Sequence, residues 1–400
     1  MIGEKTTSEK LVLFENVQFI YELALAQFEL ISLGVGFEIT NGLREFNVFG
    51  DLDLKKLKKR LAYFKIVGSE YTDYYFILRK NRTNSVNQYL THWIYPYKGK
   101  FHPQMIRALL NIIKLESGDT VLDPFIGSGT TALEAQLLGI NCIGIDISPL
   151  CVLQSKVKTE SIYVLNEICE YKEKIDSSLF FSADEKKLER IISNIENEKV
   201  RNFYTIAKLV AISDNIRRKK KFQDAFLKNF NLMLLSVKDY VELVNELNLD
   251  LGRVDIRLGD ARNLPLSDES IDGVITSPPY SIALDYVKND EHALKALGYD
   301  LRNIREEFIG VRGKGRNRIE LYNEDMEQVI REIYRVLKRG KYAVIIIGNA
   351  TYQGKEIKTT EFIINYATQI GFKLVRNINK IIFGLYNVMQ RENILIFKKE

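Results

Sequence analysis

Segments with strand character and segments with helical spacing of apolar residues alternate along most of the chain after residue 100. A strand, helix, strand order requires crossover connections, and these build a parallel sheet with helices on both faces. The predicted strands lie at 119–125, 141–147, 254–261, 271–277 and 341–350, and the predicted helices at 130–139, 323–340 and 359–371. Two closing strands, 373–383 and 393–399, have no helix between them. They predict an antiparallel strand near one edge of the sheet.

Two parts of the chain depart from this alternation. Residues 1–95 are predicted to form a small N-terminal α+β domain, with helices at 19–34 and 52–64 and a strand at 74–80. Residues 151–250 are helical in pattern and are predicted to be an inserted helical subdomain. The α/β domain then comprises residues 96–150 and 251–400.

The composition is that of an ordinary globular protein. The first ten residues lack the apolar core of a signal peptide, and no stretch reaches the length of a membrane span. Three cysteines without a CxxC pair and three histidines give no metal-site spacing. The net charge of +5 permits a nucleic-acid partner. We expect a soluble, cytoplasmic protein that holds no metal and does not contact membranes.

A glycine turn between a predicted strand and a helix is the first candidate binding element. Gly127 and Gly129 allow a tight turn and a close approach to a ligand, beside the free N–H groups of the helix. Asp146 ends the next strand, where a carboxylate accepts both hydroxyls of a ribose. Asp260 ends the strand after the insertion, at the same rim of the sheet. Asp123 lies at the head of the turn.

The residues after the turn indicate which ligand it suits. Thr130 and Thr131 follow Gly129, so neither a GxGxxG fingerprint nor the Lys-Ser/Thr pair of a phosphate loop is present. A ligand with a ribose and an amino-acid end, but no phosphate, suits an acid-flanked loop better. S-adenosylmethionine is such a ligand, and Asp123 is expected near its cationic ammonium group.

The strand at 271–277 runs directly into Ser277-Pro278-Pro279-Tyr280. Consecutive prolines fix φ and lack N–H donors, so they form a stiff turn that points carbonyls inward. The amino group of a base is a poor nucleophile because its lone pair is delocalised into the ring. Ser277 Oγ and the Pro278 carbonyl are expected to accept hydrogen bonds from its two N–H groups, while Tyr280 stacks on the base. The base must leave its helix for this contact.

Two of these motifs resemble a known family. "DPFIGSGT" and "TSPPY" are similar to the amino-methyltransferases that act on exocyclic nitrogens of nucleic-acid bases, most of all to cytosine-N4 DNA methyltransferases, where serine starts the tetrapeptide. Adenine-N6 relatives more often carry Asp or Asn there. "KFHPQMIRALL", at 100–110, is similar to the segment that closes over the methionine part of the cofactor. The resemblance covers roughly residues 95–150 and 254–400.

The resemblance implies a Rossmann-like class I methyltransferase fold, with a mostly parallel seven-stranded sheet and an antiparallel edge strand. It implies site-specific methylation of DNA, as in restriction-modification, from S-adenosylmethionine to a flipped base. The implied cofactor-binding residues are His102, Pro103, Asp123, Pro124, Phe125, Gly127, Gly129, Thr130, Asp146 and Asp260. The implied catalytic residues are Ser277, Pro278, Pro279 and Tyr280.

The nucleic-acid contacts are predicted from charge. The segment 310–318 alternates glycine with cations, and Arg312, Lys314, Arg316 and Arg318 are expected to contact phosphates. The 151–250 insertion is expected to carry target recognition. No proline precedes a cysteine, which removes the nucleophile of cytosine-C5 methylation.

Three alternatives stay open. They are adenine-N6 methylation of DNA, methylation of RNA as in tRNA guanine-N2 enzymes with an Asp-Pro-Pro-Tyr motif, and a non-catalytic cofactor-binding module that regulates a partner.

Overall fold

Two β-sheets, one of five strands near the N-terminus and one of seven strands in the rest of the chain, organise the computed structural model, and a third sheet has two strands. The structure describes residues 8–83, 85–176, 185–281, 284–313, 315, 317–383 and 389–400. The strands are β1 (Ser8–Leu13), β2 (Gly36–Thr40), β3 (Glu45–Phe49), β4 (Phe64–Val67), β5 (Glu70–Tyr71), β6 (Thr120–Asp123), β7 (Asn141–Asp146), β8 (Val254–Leu258), β9 (Ile271–Thr276), β10 (Leu337–Gly348), β11 (Ala350–Tyr352), β12 (Lys355–Ile357), β13 (Phe372–Phe383) and β14 (Met389–Lys399).

Helices connect and cover these strands. They are α1 (Ile20–Ser32), α2 (Leu54–Arg60), α3 (Asp73–Arg79), α4 (Pro103–Ile112), α5 (Thr130–Leu137), α6 (Pro149–Glu160), α7 (Leu165–Asp176), α8 (Glu185–Ser193), α9 (Glu198–Arg218), α10 (Phe222–Glu246), α11 (Tyr286–Asn289), α12 (Glu291–Ala296), α13 (Leu301–Glu307), α14 (Asn317–Val336) and α15 (Thr359–Gln369). Short 3₁₀ turns lie at Val86–Gln88 and Ser161–Val164.

The larger sheet confirms the predicted Rossmann-like fold. Its seven strands run in the order β13-β14-β10-β9-β6-β7-β8. The pairs from β10 to β8 are parallel, whereas β14 is antiparallel to both β10 and β13. The predicted antiparallel strand therefore lies second from one edge. Because β14 runs against its neighbours, its first residues meet the carboxyl ends of the parallel strands, and Glu392 pairs with Gly348 at that rim.

Burial explains why the central strands and the helix after the glycine turn have the sequences they do. All six residues of β9 are buried, which matches a strand covered on both faces by helices. Every residue of α5 is also buried. That helix packs against α4, α6 and β7. The glycine turn is thus held in the interior of the protein rather than on a free loop.

The N-terminal region contains one error of the sequence-based prediction. Its sheet has the order β2-β3-β1-β4-β5, with antiparallel pairs throughout. Residues 74–80 were expected to form a strand, but α3 occupies Asp73–Arg79. The Thr72 side chain caps this helix by accepting the Tyr75 N–H, and Tyr74 and Ile77 are buried at helical spacing. The cap and this spacing outweigh the strand preference of adjacent aromatic residues.

One hydrophobic core joins the N-terminal region to the larger sheet. It includes Leu11 and Phe46 together with Val121 and Ile346. Helix α1 packs on α4 and on β13. Most buried residues of α9 and α10, in the predicted insertion, belong to a second core, whereas Tyr240 and Leu243 of α10 join the first. A boundary near residue 95 therefore separates two parts of the chain that share one core, and the division into domains stays a proposal.

Three further findings concern membrane-spanning helices, metal sites and the cysteines. Within the described ranges, no helix combines the length and the apolar character needed to cross a bilayer. The same ranges hold no cluster of three His, Cys, Asp or Glu side chains arranged for a metal ion. Cys142, Cys151 and Cys169 are free thiols.

Gly129→Ala is expected to destabilise the protein by about 2–4 kcal/mol. Gly129 has φ of +77°, and an added Cβ would lie 2.8–3.0 Å from atoms of Ser155 on α6. Backbone strain and overpacking therefore add. Gly340→Ala is the matched control, since Gly340 has φ of +75° with nothing within 4 Å of the added Cβ. We expect it to lose only about 1 kcal/mol. Equal losses in denaturant unfolding of the two variants would contradict this packing.

Candidate active site

A cavity of about 780 Å³ opens at the carboxyl ends of β6, β7 and β9. Nine of the residues predicted to bind or react lie on its wall: His102, Pro124, Phe125, Gly127, Asp146, Asp260, Ser277, Pro279 and Tyr280. Five others, Pro103, Asp123, Gly129, Thr130 and Pro278, do not line it. The structure therefore brings the glycine turn, two acidic strand ends and the Ser-Pro-Pro-Tyr turn to one space.

Asp146 connects the glycine turn to the cavity. Its Oδ2 accepts the Gly127 N–H at 2.9 Å, and its Oδ1 accepts the Ser148 N–H at 2.8 Å. Burial raises the pKa of the Asp146 carboxyl to about 6, against the opposing effect of these N–H donors. Gly127 has φ of +50°, and an added Cβ would lie 3.3 Å from the Tyr97 ring. The backbone is thus exposed to the cavity where a side chain would not fit.

Asp123 lies behind the cavity wall and links three elements. Thr276 Oγ1 at the end of β9 and Thr131 Oγ1 on α5 each donate to its carboxylate at 2.7 Å. The Phe125 N–H also donates to it, at 3.2 Å. Burial raises the pKa of this fully buried carboxyl to about 6. Protein donors therefore engage both oxygens of Asp123, which ties the glycine turn to the strand that carries Ser277.

Side chains of helix α6 donate hydrogen bonds to the carbonyl oxygens of the glycine turn. Lys158 Nζ donates to the Ser128 carbonyl at 2.7 Å, and Gln154 Nε2 donates to the Gly127 carbonyl at 3.0 Å. Lys158 is fully buried. These two residues fall inside the 151–250 segment that was interpreted as an insertion. The beginning of that segment therefore belongs structurally to the glycine turn and the sheet rim.

Asp260 lines the cavity beside an arginine. Arg262 Nη2 lies 2.6 Å from Asp260 Oδ2, and Arg262 Nη1 lies 2.9 Å from the buried Asp325 on α14. The Asp260 side chain is 36% exposed, so part of its carboxylate stays open to a ligand. The acidic end of the cavity is consequently formed by Asp146 and Asp260.

The Tyr280 hydroxyl orients the Ser277 hydroxyl. Ser277 Oγ donates to the Tyr280 hydroxyl oxygen in a long hydrogen bond of 3.4 Å, and Glu392 lies on the same cavity wall. Burial, together with the nearby Glu392, holds the pKa of Tyr280 well above its usual value. Because Tyr280 keeps its proton, the second bond at its oxygen is one that it accepts, and Ser277 Oγ is the donor. The lone pairs of Ser277 Oγ are then left for a donor in the cavity.

The remaining parts of this turn are fixed by two neighbours. Lys380 Nζ lies 2.7 Å from Glu392 across the β13–β14 pair, and both side chains are nearly buried. Tyr322 of α14 donates its hydroxyl to the Pro279 carbonyl at 2.8 Å, and the Ser281 N–H donates to it at 2.9 Å. Pro278 is buried, and its carbonyl accepts no hydrogen bond from the described part of the chain. The second predicted acceptor is therefore not occupied by another protein donor there.

Several wall residues were missed by the sequence-based prediction. They come from the start of α1, the 85–101 segment and the β13–β14 pair, and include Phe19, Tyr21, Glu22, Gln88, Lys100, Lys380 and Glu392. Lys100 begins the segment KFHPQMIRALL, whereas no motif marks the others, and only the packing of α1 against β13 brings the N-terminal residues to the cavity. The closing strands at 373–383 and 393–399 are predicted from the sequence, and the antiparallel course of β14 then places Glu392 at the rim of the sheet.

The basic loop at 310–318 is tied into the fold where the structure describes it. Arg312 Nε and Nη2 donate to the buried Asp325 at 2.8 and 2.6 Å. Arg318 Nη2 donates to the Gly310 carbonyl at 2.6 Å. Lys314 and Arg316 lie outside the described residues. The two described arginines therefore have partners within the protein, and phosphate contact by this loop stays a prediction.

Comparison with known sequences identifies relatives. The model of the N6/N4 methyltransferase family, described as DNA methylase, matches residues 51–156 and 271–399. Type II methyltransferase M.BsoBI of Geobacillus stearothermophilus is 27% identical in an alignment 313 positions long that covers 63% of this chain and 61% of that protein. Type II methyltransferase M.MjaII of Methanocaldococcus jannaschii is 36% identical over 121 residues, 28% of this chain and 22% of that protein.

An RNA-modifying enzyme also matches over a short region. The tRNA (guanine(10)-N2)-dimethyltransferase of Methanothermobacter thermautotrophicus is 32% identical over 71 residues, 18% of this chain and 20% of that protein. The chain thus spans less than two thirds of the length of each of these three relatives. The family match, in contrast, covers more than half of the chain and contains both the glycine turn and Ser277–Tyr280. This chain belongs to the N6/N4 DNA methylase family.

Proposed function

We propose that this protein transfers a methyl group from S-adenosylmethionine to an exocyclic amino nitrogen of a flipped base in DNA, with cytosine N4 as the target atom. S-adenosylmethionine is the cofactor of the family to which the chain belongs. The observation that carries the proposal is the Ser277 hydroxyl on the cavity wall, which donates its proton to the Tyr280 hydroxyl of the same turn.

The cavity residues fit the cofactor. A carboxylate at the end of β7, Asp146, is placed to accept ribose hydroxyls, and Gly127 leaves room for a close backbone approach. Asp260 offers a second acceptor at the same end. His102, in the segment that resembles the methionine-covering part of the family, lies on the wall. A volume of about 780 Å³ is in the range of cavities that enclose ligands of this size.

The Ser277–Tyr280 turn acts by orienting the target nitrogen. When bound, S-adenosylmethionine supplies an electrophilic methyl group on a sulfonium centre. Ser277 Oγ and the Pro278 carbonyl accept hydrogen bonds from the two N–H groups of the amino group. These bonds draw the nitrogen toward tetrahedral geometry and aim its lone pair at the methyl group. Tyr280 provides an aromatic face beside the base. Positioning of this kind supplies most of the rate acceleration that we assign to these residues.

The first residue of the tetrapeptide favours cytosine in DNA over the alternatives. Resembling adenine-N6 enzymes more often have Asp or Asn at this position, and the resembling tRNA guanine-N2 enzymes have Asp, whereas this chain has Ser277. The named relatives with the longer matches are Type II methyltransferases. We therefore propose a Type II restriction-modification setting. Target recognition is proposed for the helices within 151–250, and phosphate contact for Arg312, Lys314, Arg316 and Arg318.

Incubation with radiolabelled S-adenosylmethionine and, in parallel, duplex DNA, single-stranded DNA and tRNA tests the substrate class. We expect label in DNA, because a flipped or unpaired base reaches the Ser277 turn. Label in tRNA alone would overturn the DNA assignment. Cofactor binding without label in any nucleic acid would favour the non-catalytic module.

Glu392→Gln is expected to lower turnover by roughly tenfold, with cofactor affinity unchanged. An amide offers a donor as well as an acceptor, so Tyr280 is no longer forced to receive the Ser277 proton. The measurements are kcat and the dissociation constant of S-adenosylhomocysteine, each determined for the variant and for the wild-type protein. Glu361→Gln is the matched control, because Glu361 pairs with Lys358 on an exposed helix start. An unchanged kcat in Glu392→Gln would reject the orienting role of this carboxylate.

A further inference from the structure

The sequence contains a run of five cations at 217–221, RRKKK, that the proposed chemistry does not use. The structure places the first of them at the end of α9, where Arg217 Nη2 donates to the Asn289 carbonyl at 3.0 Å. Asn289 ends α11, and this short helix begins with Tyr286 on the cavity wall. The start of the basic run is therefore held within one helical turn of the cavity, although it belongs to a distant part of the chain.

Two further exposed cations lie on the same side of the cavity. Lys288 follows the wall residue Tyr286 by two positions on α11, and Lys98 lies between two wall residues, one of which is Gly99. A Cβ added to Gly99 would lie 3.7 Å from the Tyr286 hydroxyl oxygen, so the segment that carries Lys98 packs against the start of α11. Lys98, Arg217 and Lys288 together form what we call the basic rim.

The basic rim has little compensating negative charge. Among the described residues, no carboxylate lies within ion-pair distance of any of its three side chains. Asp290 is close, but it is buried, and the positive charges of Arg217 and Lys98 oppose the rise of its pKa to about 6 that burial causes. Glu291, which follows it, is paired with Lys295. The exposed charge of this surface is therefore positive.

The basic rim differs in this respect from the other cationic segments of the chain. The two described arginines of the 310–318 loop already have partners within the protein. Within the 217–221 run, Arg218 and Lys220 both pair with Asp214. Arg217, in contrast, donates to an uncharged carbonyl, and a guanidinium has four further N–H donors. The charge of the basic rim is thus available to an anion from outside the protein.

We propose that the basic rim binds the phosphate backbone of the DNA beside the flipped base. This inference rests on the proposed function, because it names the surface on which the DNA lies when a base enters the cavity. Lysine and arginine neutralise phosphates without reading the sequence, and such contacts fix the position of a duplex on a protein. The end of α9 thereby has a positioning role within the 151–250 segment that is proposed for target recognition.

The salt dependence of DNA binding tests this assignment. The probe is a fluorescently labelled DNA duplex, whose dissociation constant is measured by anisotropy between about 50 and 200 mM KCl. The test variant combines Lys98→Gln, Arg217→Gln and Lys288→Gln. We expect the slope of log K against log [KCl] to become shallower by about 2–3, because each lost phosphate contact releases about one counter-ion fewer. The affinity for S-adenosylhomocysteine should stay unchanged, since none of the three residues lines the cavity.

The matched control combines Lys55→Gln, Lys114→Gln and Arg253→Gln, which removes two lysines and one arginine that are also exposed. Arg253 immediately precedes β8 and Lys114 lies between α4 and β6, so both are at the amino ends of the parallel strands, away from the cavity. This control should keep the wild-type slope.

A wild-type slope in the basic-rim variant would overturn the assignment. An equal change in both variants would also overturn it, because the effect would then follow net charge alone. If the wild-type protein bound S-adenosylhomocysteine and tRNA but no DNA duplex, the proposed DNA substrate itself would be contradicted.

Discussion

Replacement of Ser277 by alanine is expected to reduce kcat by roughly 100- to 1000-fold while the affinity for S-adenosylhomocysteine stays within about twofold of the wild-type value. The Ser277 hydroxyl lies on the cavity wall, and its proton is directed to Tyr280. Its lone pairs therefore accept a hydrogen bond from the target amino group when the nitrogen attacks the methyl carbon. Removal of this acceptor leaves the amino lone pair delocalised into the ring, while the acidic end of the cavity is unchanged.

Two further serine variants make this result specific. Ser281→Ala removes a buried hydroxyl in the same turn region, and that hydroxyl has no hydrogen-bond partner among the described residues. We expect it to retain most of the turnover. Ser277→Thr keeps a hydroxyl and should recover part of the lost rate. A Ser277→Ala enzyme with wild-type kcat, measured in single-turnover experiments, would remove the Ser277 acceptor from the mechanism.

Asp146→Ala is expected to weaken S-adenosylhomocysteine binding by roughly 100-fold or more. The carboxylate serves two purposes, since it faces the cavity and accepts the N–H groups of Gly127 and Ser148. Its loss removes the proposed ribose acceptor and releases the glycine turn together. Asp255→Ala is the control, because Asp255 is a neighbouring acid on β8 that pairs with Arg257 at the surface. Titration calorimetry should show unchanged affinity in that control.

The Asp146 carboxyl also predicts that cofactor affinity depends on pH. The Asp146 carboxyl has a pKa raised to about 6 by burial, and only its ionised form accepts from two ribose hydroxyls. Cofactor affinity should therefore be highest well above pH 6, where the carboxyl is ionised, and fall as the pH drops through about 6. Asp123 has a pKa raised to the same value, so the wild-type curve contains both groups. Asp146→Asn should flatten part of the curve, and an identical curve in the variant would assign the titration elsewhere.

The sequence predicted those parts of the site that depend on local chain chemistry. Gly127 and Gly129 follow a short buried strand, and Ser277–Tyr280 follows another. Both features are readable because parallel strands deliver their carboxyl ends to one rim. The error at 74–80 has the opposite origin. There, a threonine cap and helical burial decided a segment whose composition favoured a strand.

The rest of the site depends on contacts between distant parts of the chain. Glu392 and Lys380 reach the cavity because β14 runs antiparallel beside β10, and their pairing follows the register of the β13–β14 pair. Tyr21 reaches it because α1 packs on β13. No spacing in the sequence encodes these distances.

Nucleoside analysis of DNA methylated by the wild-type protein tests the central claim most directly. After incubation with S-adenosylmethionine, the DNA is digested completely and the modified nucleosides are separated and identified by mass spectrometry. The account predicts N4-methyldeoxycytidine, absent when Ser277→Ala is used at the same concentration. N6-methyldeoxyadenosine as the product would contradict the cytosine assignment. Methylation of cytosine at C5 would contradict methyl transfer to an amino nitrogen, which is the role proposed for the Ser277–Tyr280 turn.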